Sequence, residues 1–281
     1  MPQELAQLLL NLVKEDAPLG DVTTEAIIGD VEVKAVLMAK ESGYACCILD
    51  LAEALKVLGL NANALKHDGE YFNPGESLMV LSGNARVILM IERSLLNVLS
   101  ILLGVVKTTR EIVEMVHRVN PRVKVAATRK TIPCLRPLIK KAVAVGGADT
   151  HRLSLSDAVL IKDNHIAIIG NVEEAVKMAK GKVTFMHKIE VEVSNAEDAV
   201  KAIKAGADAV LVDNVTPAQL KQIIGVLEAL GLREKAIIEV SGGITPDNIN
   251  EYAKANPDVI STSYITMKAK PVDISLEVIS K

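Results

Sequence analysis

Two cations stand side by side where an apolar stretch ends. In VKVAATRKTIP, Val123, Val125, Ala126 and Ala127 read as a buried strand, and Arg129-Lys130 follow almost at once. His151, Arg152 and Lys162 come next along the chain, on or beside further strand ends. Arginine offers a planar fork for carboxylate or phosphate, and lysine a compact point charge. The mixture suits a ligand with several negative groups. An internal salt-bridge network with Asp149, Asp157 and Asp163 is the competing reading, but three acids are too few to pair every cation. From Arg122 to His165 there are nine Lys/Arg against three acids, a local net of +6 in a chain of net −3. Such an excess indicates anionic ligands or a solvated basic face, and the solvated face is expected for Arg122, Lys124 and Lys141.

Acids lie beyond the cations. In KIEVEV, Glu190 and Glu192 are two apart on a strand and face one side. Asp213 ends the strand in VLVDN. Glu192 and Asp213 could hold Mg²⁺ together with ligand oxygens, or stabilise a sugar cation in a transition state. Glu190 is the one expected to make a plain ion pair, with Lys188 or Lys162. Ser241-Gly242-Gly243 follow the strand AIIEV, with Thr245 placed to cap a helix and Pro246 suited to its first turn. Glycines at such a junction expose N–H groups that hold phosphate. Gly146-Gly147 read as a helix cap and turn that place His151-Arg152. Cys134 reads as a loop filler, and His67, His117 and His187 as surface or core residues without chemistry.

These residues need a scaffold that brings distant strand ends together. Residues 1–110 read as one α/β unit, with helices in PQELAQLLLNLVKEDA and ILDLAEALKVLGL and strand patterns in VEVKAVLMAKES and around HDGEYFNPGESLMVLSGNA. A helix is predicted over Arg86–Val119, loosened around Gly104. Residues 111–267 alternate strand and helix. The strands are predicted at Val123–Ala127, Ala158–Lys162, Lys188–Val193, Ala209–Asp213, Ala236–Val240 and Val259–Thr262, with a short one before His151. Repeated βα units argue a parallel sheet, here a barrel short of eight strands, with a doubly wound open sheet as the alternative. In such a barrel the loops after the strands build the site. The tail, 268–281, is expected to return to the first domain.

Composition excludes several classes. Aromatic residues make up 2% and Trp is absent, so stacking on bases is not the binding mode; a pI near 6.0 also argues against a nucleic-acid partner. Three Cys form neither a zinc spacing nor a disulfide framework. No signal peptide and no membrane-spanning run is expected, which places the protein in the cytoplasm.

The segments ATRKTIPCLR, GGADTHRLSLSDAVLIKDNHI, IEVEV, LVDN and VSGGI, with PLGDVTTEAI and ERSLLNVLSILLGVVKTT upstream, resemble the quinolinate phosphoribosyltransferase family, also called nicotinate-nucleotide pyrophosphorylases (carboxylating). The resemblance implies the type II phosphoribosyltransferase fold, an N-terminal α/β sandwich and an incomplete TIM-like α/β barrel. It implies that quinolinate and phosphoribosyl pyrophosphate (PRPP) give nicotinate mononucleotide, pyrophosphate and CO₂ with Mg²⁺, in NAD biosynthesis. It places Arg129, His151 and Arg152 on the quinolinate carboxylates with Lys130 and Lys162 beside them. Glu192 and Asp213 serve the Mg²⁺-diphosphate and ribosyl part, and Ser241, Gly242 and Gly243 the 5-phosphate. Arg93 would reach a neighbouring subunit's site, making a homodimer the minimal active unit. Cys134, Ser263 and Met267 depart from the family pattern, and Ser261 or Ser263 hydroxyls would then serve the second phosphate loop. The rival readings are a phosphoribosyltransferase for nicotinate or another carboxylated ring (ModD-like), a Schiff-base aldolase with Lys162 as nucleophile, and a non-catalytic anion sensor.

Overall fold

The computed structural model describes residues 2–280; residues 1 and 281, which end the predicted domain spans, lie outside them. In chain order it runs α1 (Pro2–Asp16), α2 (Val22–Ile27), β1 (Glu32–Ala39), β2 (Gly43–Tyr44), α3 (Ile48–Val57), β3 (Asn61–Ala64), β4 (Tyr71–Phe72), β5 (Ser77–Asn84) and α4 (Ala85–Val119). Next come β6 (Lys124–Ala126), α5 (Arg136–Val145), β7 (Val159–Ile161), α6 (Asp163–Ile169), α7 (Val172–Lys182), β8 (Ile189–Val193), α8 (Ala196–Ala205) and β9 (Ala209–Asp213). The chain ends with α9 (Pro217–Ala229), β10 (Ile237–Ser241), α10 (Ile249–Lys254), β11 (Val259–Ser261), α11 (Tyr264–Met267) and β12 (Ile274–Ser280). It divides into two compact units. Among the described residues, one comprises 2–109, 132–146 and 269–280, the other 110–131 and 147–268.

The first unit is built on an antiparallel sheet in the order β12-β1-β5-β3. Alternation in β1 and β5 buries Ala35, Leu37, Met79 and Leu81, and α3 adds Ile48, Leu51 and Leu55. β12 lies antiparallel on β1, pairing Leu276 with Leu37. The helix expected to loosen at Gly104 is continuous over Ala85–Val119. The glycine is there for closeness rather than flexibility: a Cβ at Gly104 would strike the Lys270 carbonyl. Helical cooperativity carries the chain through a poor helix former when a packed neighbour requires it. An 18-residue window of this helix is apolar enough to span a bilayer, which the sequence reading did not allow for, but 56% of that window is buried within the protein.

Lys141 is not on a freely solvated basic face. Its ammonium lies 2.5 Å from Asp50 Oδ2 and 2.8 Å from Asp68 Oδ2, and Asp68 Oδ1 accepts the N–H of Cys47, a left-handed residue at φ 59°. Burial opposes the charge, but the two carboxylates outweigh it and raise the Lys141 pKa. The cluster fixes the turn into α3. Lys141→Ala is expected to cost about 1–2 kcal/mol and lower the apparent Tm by roughly 2–6 °C, because two acids lose their partner at a half-screened site. An unchanged melting curve would mean that water replaces the ammonium without loss.

The second unit is a parallel sheet in the order β6-β11-β10-β9-β8-β7, with helices between strands. The observed strands fall within one residue of the six predicted ones at every end. Apolar β-branched runs such as Val210, Val212, Ile238 and Val240 are wholly buried, as a sheet covered on both faces requires. β6 and β7 are the edges, so six strands form an incomplete barrel. The short strand expected before His151 is a single bridge, Ala126 with Asp149.

Candidate active site

Because all six strands run parallel, their C-terminal ends open on one side. There they line a cleft of about 440 Å³. The edge strands supply the cations: Arg129 and Lys130 after β6, Lys162 after β7, and His151-Arg152 from the segment bridged to β6. The central strands supply the acids: Glu192 on β8, Asp213 on β9 and Glu239 on β10. Ser241, Gly242, Gly243 and Ser261 complete the lining. Arg93 is exposed on α4 in the first unit, and Ser263 lies outside the lining, at the start of α11. A larger cleft of about 690 Å³ lies at the N-terminal strand ends. Its main charges are already paired, Lys188 with Asp208 and Arg233 with Asp258, so it reads as structural.

The cations are poised for an anion. Arg129 Nε is buried and has no partner among the described residues. Arg152 donates from Nη1 to the Ala158 carbonyl at 3.1 Å, and burial and then the Arg129 charge push its pKa down. Two guanidiniums that repel each other, one with an idle donor, are stabilised by an anion between them. Lys130 is exposed, and its carbonyl accepts from Thr266 Oγ1 at 2.7 Å, which ties α11 to the Arg129-Lys130 loop. The Lys162 ammonium lies 2.6 Å from Glu192 Oε2.

His151 sits deeper. Its Nε2 is 3.2 Å from Glu190 Oε2 and 3.3 Å from Glu239 Oε2, so Glu190 pairs with the histidine and not with Lys188 or Lys162. Hydrogen bonds that the ring donates to Glu190 and then Glu239 raise the His151 pKa, which favours hydrogens on both nitrogens. The Nδ1 contact opposes this, since it accepts the Arg152 main-chain N–H at 2.8 Å and a hydrogen there would meet it head-on. With Nδ1 occupied as an acceptor, the ring is neutral and carries its hydrogen on Nε2. The remaining proton then belongs to the two carboxyls, in keeping with burial raising the Glu190 pKa. The three groups are also a possible metal ligand set by residue type. A hydrogen on Nε2 leaves no lone pair for an ion there. Both nitrogens are engaged, which leaves no free ring donor for the substrate carboxylate expected at His151.

Glu192 and Asp213 stand on neighbouring strands. Burial and then the Glu192 charge raise the Asp213 pKa, and Asn214 Nδ2 donates to its Oδ2 at 2.6 Å. The Glu192 charge raises the cost of ionising Asp213, a cost that Mg²⁺ would relieve, so this hard-oxygen pair fits the ion. Gly242 and Gly243 are left-handed, at φ 94° and 62°. A Cβ at Gly242 would meet Asn214 N at 2.7 Å and its Oδ1 more closely. Ser261 Oγ is buried without a partner among the described residues. The helix after this loop begins only at Ile249, with Asn248 rather than Thr245 at its cap; the Thr245 N–H donates to Asn248 Oδ1 in a preceding turn. With six residues, α10 adds little dipole at the loop.

Sequence reasoning missed Glu239, Asn214 and Thr266. For Glu239 a signal existed: an acid within the apolar strand AIIEVS, two positions from Ser241 and so on its face.

The chain matches the model of the quinolinate phosphoribosyl transferase N-terminal domain over residues 21–102 and of its C-terminal domain over 105–277. It is 44% identical to a probable nicotinate-nucleotide pyrophosphorylase [carboxylating] of Methanocaldococcus jannaschii, covering 97% of this chain and 96% of that one. The human nicotinate-nucleotide pyrophosphorylase [carboxylating] is 34% identical, over 100% and 93% of the two chains. The solved structure of the Francisella tularensis nicotinate-nucleotide pyrophosphorylase superposes with TM-score 0.88 at 32% identity, over 99% and 97% of the two chains. With two family domains matched in order and relatives aligned from end to end, the chain belongs to the quinolinate phosphoribosyltransferase family.

Proposed function

We propose that the cleft joins the pyridine nitrogen of quinolinate to the anomeric carbon of PRPP, releasing pyrophosphate and CO₂. One observation carries the assignment of the acid-binding end: the buried, unpartnered Arg129 Nε beside Arg152. Arg129 and Arg152 hold the two carboxylates, with Lys162 and Lys130 at the rim. Catalysis is positioning and electrostatics, since the nitrogen need only be held in line with the leaving diphosphate. Glu192 and Asp213 hold Mg²⁺, which when bound neutralises the charge of the leaving diphosphate. Lys162 keeps Glu192 oriented, and Asn214 does the same for Asp213. The left-handed Ser241-Gly242-Gly243 turn and the idle Ser261 hydroxyl bind the 5-phosphate.

Once the ring nitrogen carries the ribose it is cationic. The cationic nitrogen then stabilises the electron pair left at C2 when the carboxylate there departs as CO₂, and C2 takes up a proton from water. Lys162 is unsuited to Schiff-base chemistry, because its nitrogen is engaged by Glu192 at 2.6 Å. The exposed Arg93 is offered to the site of a second copy, which makes the active unit a dimer. The test is product release from the purified protein. Pyrophosphate and CO₂ are expected with quinolinate, PRPP and Mg²⁺. Neither is expected after Mg²⁺ removal by a chelator or with nicotinate in place of quinolinate. Pyrophosphate release with nicotinate alone would overturn the reading of the carboxylate end.

A further inference from the structure

Glu239 has no part in the reading above, yet it is the most deeply placed acid of the cleft. Its side chain is 5% exposed, Oε2 faces His151 Nε2 at 3.3 Å, and Oε1 has no partner among the described residues. Glu190 approaches the same nitrogen from β8 at 3.2 Å. Two strands that are not neighbours in the sheet thus grip one imidazole edge. The opposite edge is fixed as well, by the Arg152 N–H on Nδ1 at 2.8 Å. His151 needs such restraint because its backbone is left-handed, at φ 52°, a conformation that costs a non-glycine residue free energy. Its own N–H is held by Asp149 Oδ1 at 2.7 Å, in the segment bridged to β6.

We propose that Glu239, together with Glu190, is a positioning residue for the acid-binding end of the cleft. It clamps the His151 ring by Nε2, so that Nδ1 holds the Arg152 main chain and fixes the strained turn from which the Arg152 guanidinium enters the cleft. The clamp explains a costly choice, a buried carboxylate with an idle oxygen in the middle of an apolar sheet. It acts by accepting a hydrogen bond, and its charge is incidental. The inference rests on the assignment of Arg152 to a substrate carboxylate.

The test uses Glu239→Ala and Glu239→Gln. Glutamine keeps an acceptor oxygen for Nε2–H without the charge. For Glu239→Ala, KM for quinolinate is expected to rise about tenfold, the scale of one lost hydrogen bond to a charged group. KM for PRPP should stay within roughly twofold, and Glu239→Gln should hold both within roughly threefold of wild type. A second readout needs no substrate: the long-range ¹H–¹⁵N spectrum of the imidazoles, with the His151 signal assigned by its loss in His151→Asn. Wild type and Glu239→Gln should show a single Nε2–H tautomer with Nδ1 bare, and Glu239→Ala a mixture. Because the spectrum is read on the free protein, it judges the clamp even if quinolinate proves not to be the substrate. The proposal is overturned if Nδ1 is protonated in the wild type. It also fails if Glu239→Gln is as impaired as Glu239→Ala, or if the two KM values rise together while the tautomer stays unchanged.

Discussion

Arg129→Ala lowers kcat/KM for quinolinate by about 10²–10³-fold, with KM for PRPP within roughly threefold of wild type. The magnitude follows from losing a two-pronged, charge-assisted contact in a partly water-excluded site, on the order of 3–4 kcal/mol. Arg129→Lys recovers only part of this, because a point charge cannot reproduce the fork. The ligand-free protein should not suffer. Arg129 Nε has no partner among the described residues to lose, and removing the guanidinium relieves Arg152 of a like charge. An unchanged or slightly raised Tm beside a collapsed kcat/KM is therefore the expected pair of results. A fallen Tm with KM for quinolinate intact would assign Arg129 to the scaffold.

Gly242→Ala is the second large effect, and it strikes the other substrate. The residue sits at φ 94°, and the added methyl would meet the main-chain nitrogen of Asn214, which itself donates to the Ser241 carbonyl at 3.0 Å. The Asn214 side-chain oxygen, nearer still, can swing aside, but the main-chain nitrogen cannot, so the loop must move. We expect KM for PRPP to rise by about 10²-fold, with a smaller change for quinolinate. Gly243→Ala is the internal control. At φ 62° it has nothing within 4 Å of a built Cβ, so only the left-handed backbone cost of about 1–2 kcal/mol applies. Equal damage from the two substitutions would show that conformational freedom, rather than the approach of Asn214, sets the requirement at 242.

Particular residues show why some of this was legible in the sequence. Arg129, Lys162, Glu192, Asp213 and Ser241 follow or close apolar strand runs, and a parallel sheet can only bring such ends to one side. The βα alternation therefore gave both the fold and the neighbourhood. Gly104 misled because helix propensity speaks of the isolated chain, whereas the close passage of Lys270 is a contact 166 positions away. Thr245 misled because its main-chain turn uses Asn248, and local capping rules do not tell which of two good cappers wins. The His151 clamp was hidden for a different reason. Its three members lie far apart in sequence, and Glu239 was read by the apolar strand around it and not by its shared face with Ser241.

The pairing of β12 with β1 sets an order of events during synthesis. β1 lies between β5 and β12, and β5 follows it within the first 84 residues, whereas β12 begins at Ile274. The Lys270 carbonyl that needs Gly104 and the Val272 N–H that donates to the Ser100 carbonyl arrive equally late. On the ribosome the first unit to emerge therefore keeps the β1 edge bare until β12 has been made. The second unit has every strand it needs by Ser261 and can close before then. An early strand thus waits for a late one, and a chain stalled or truncated before β12 exposes the β1 edge to other chains.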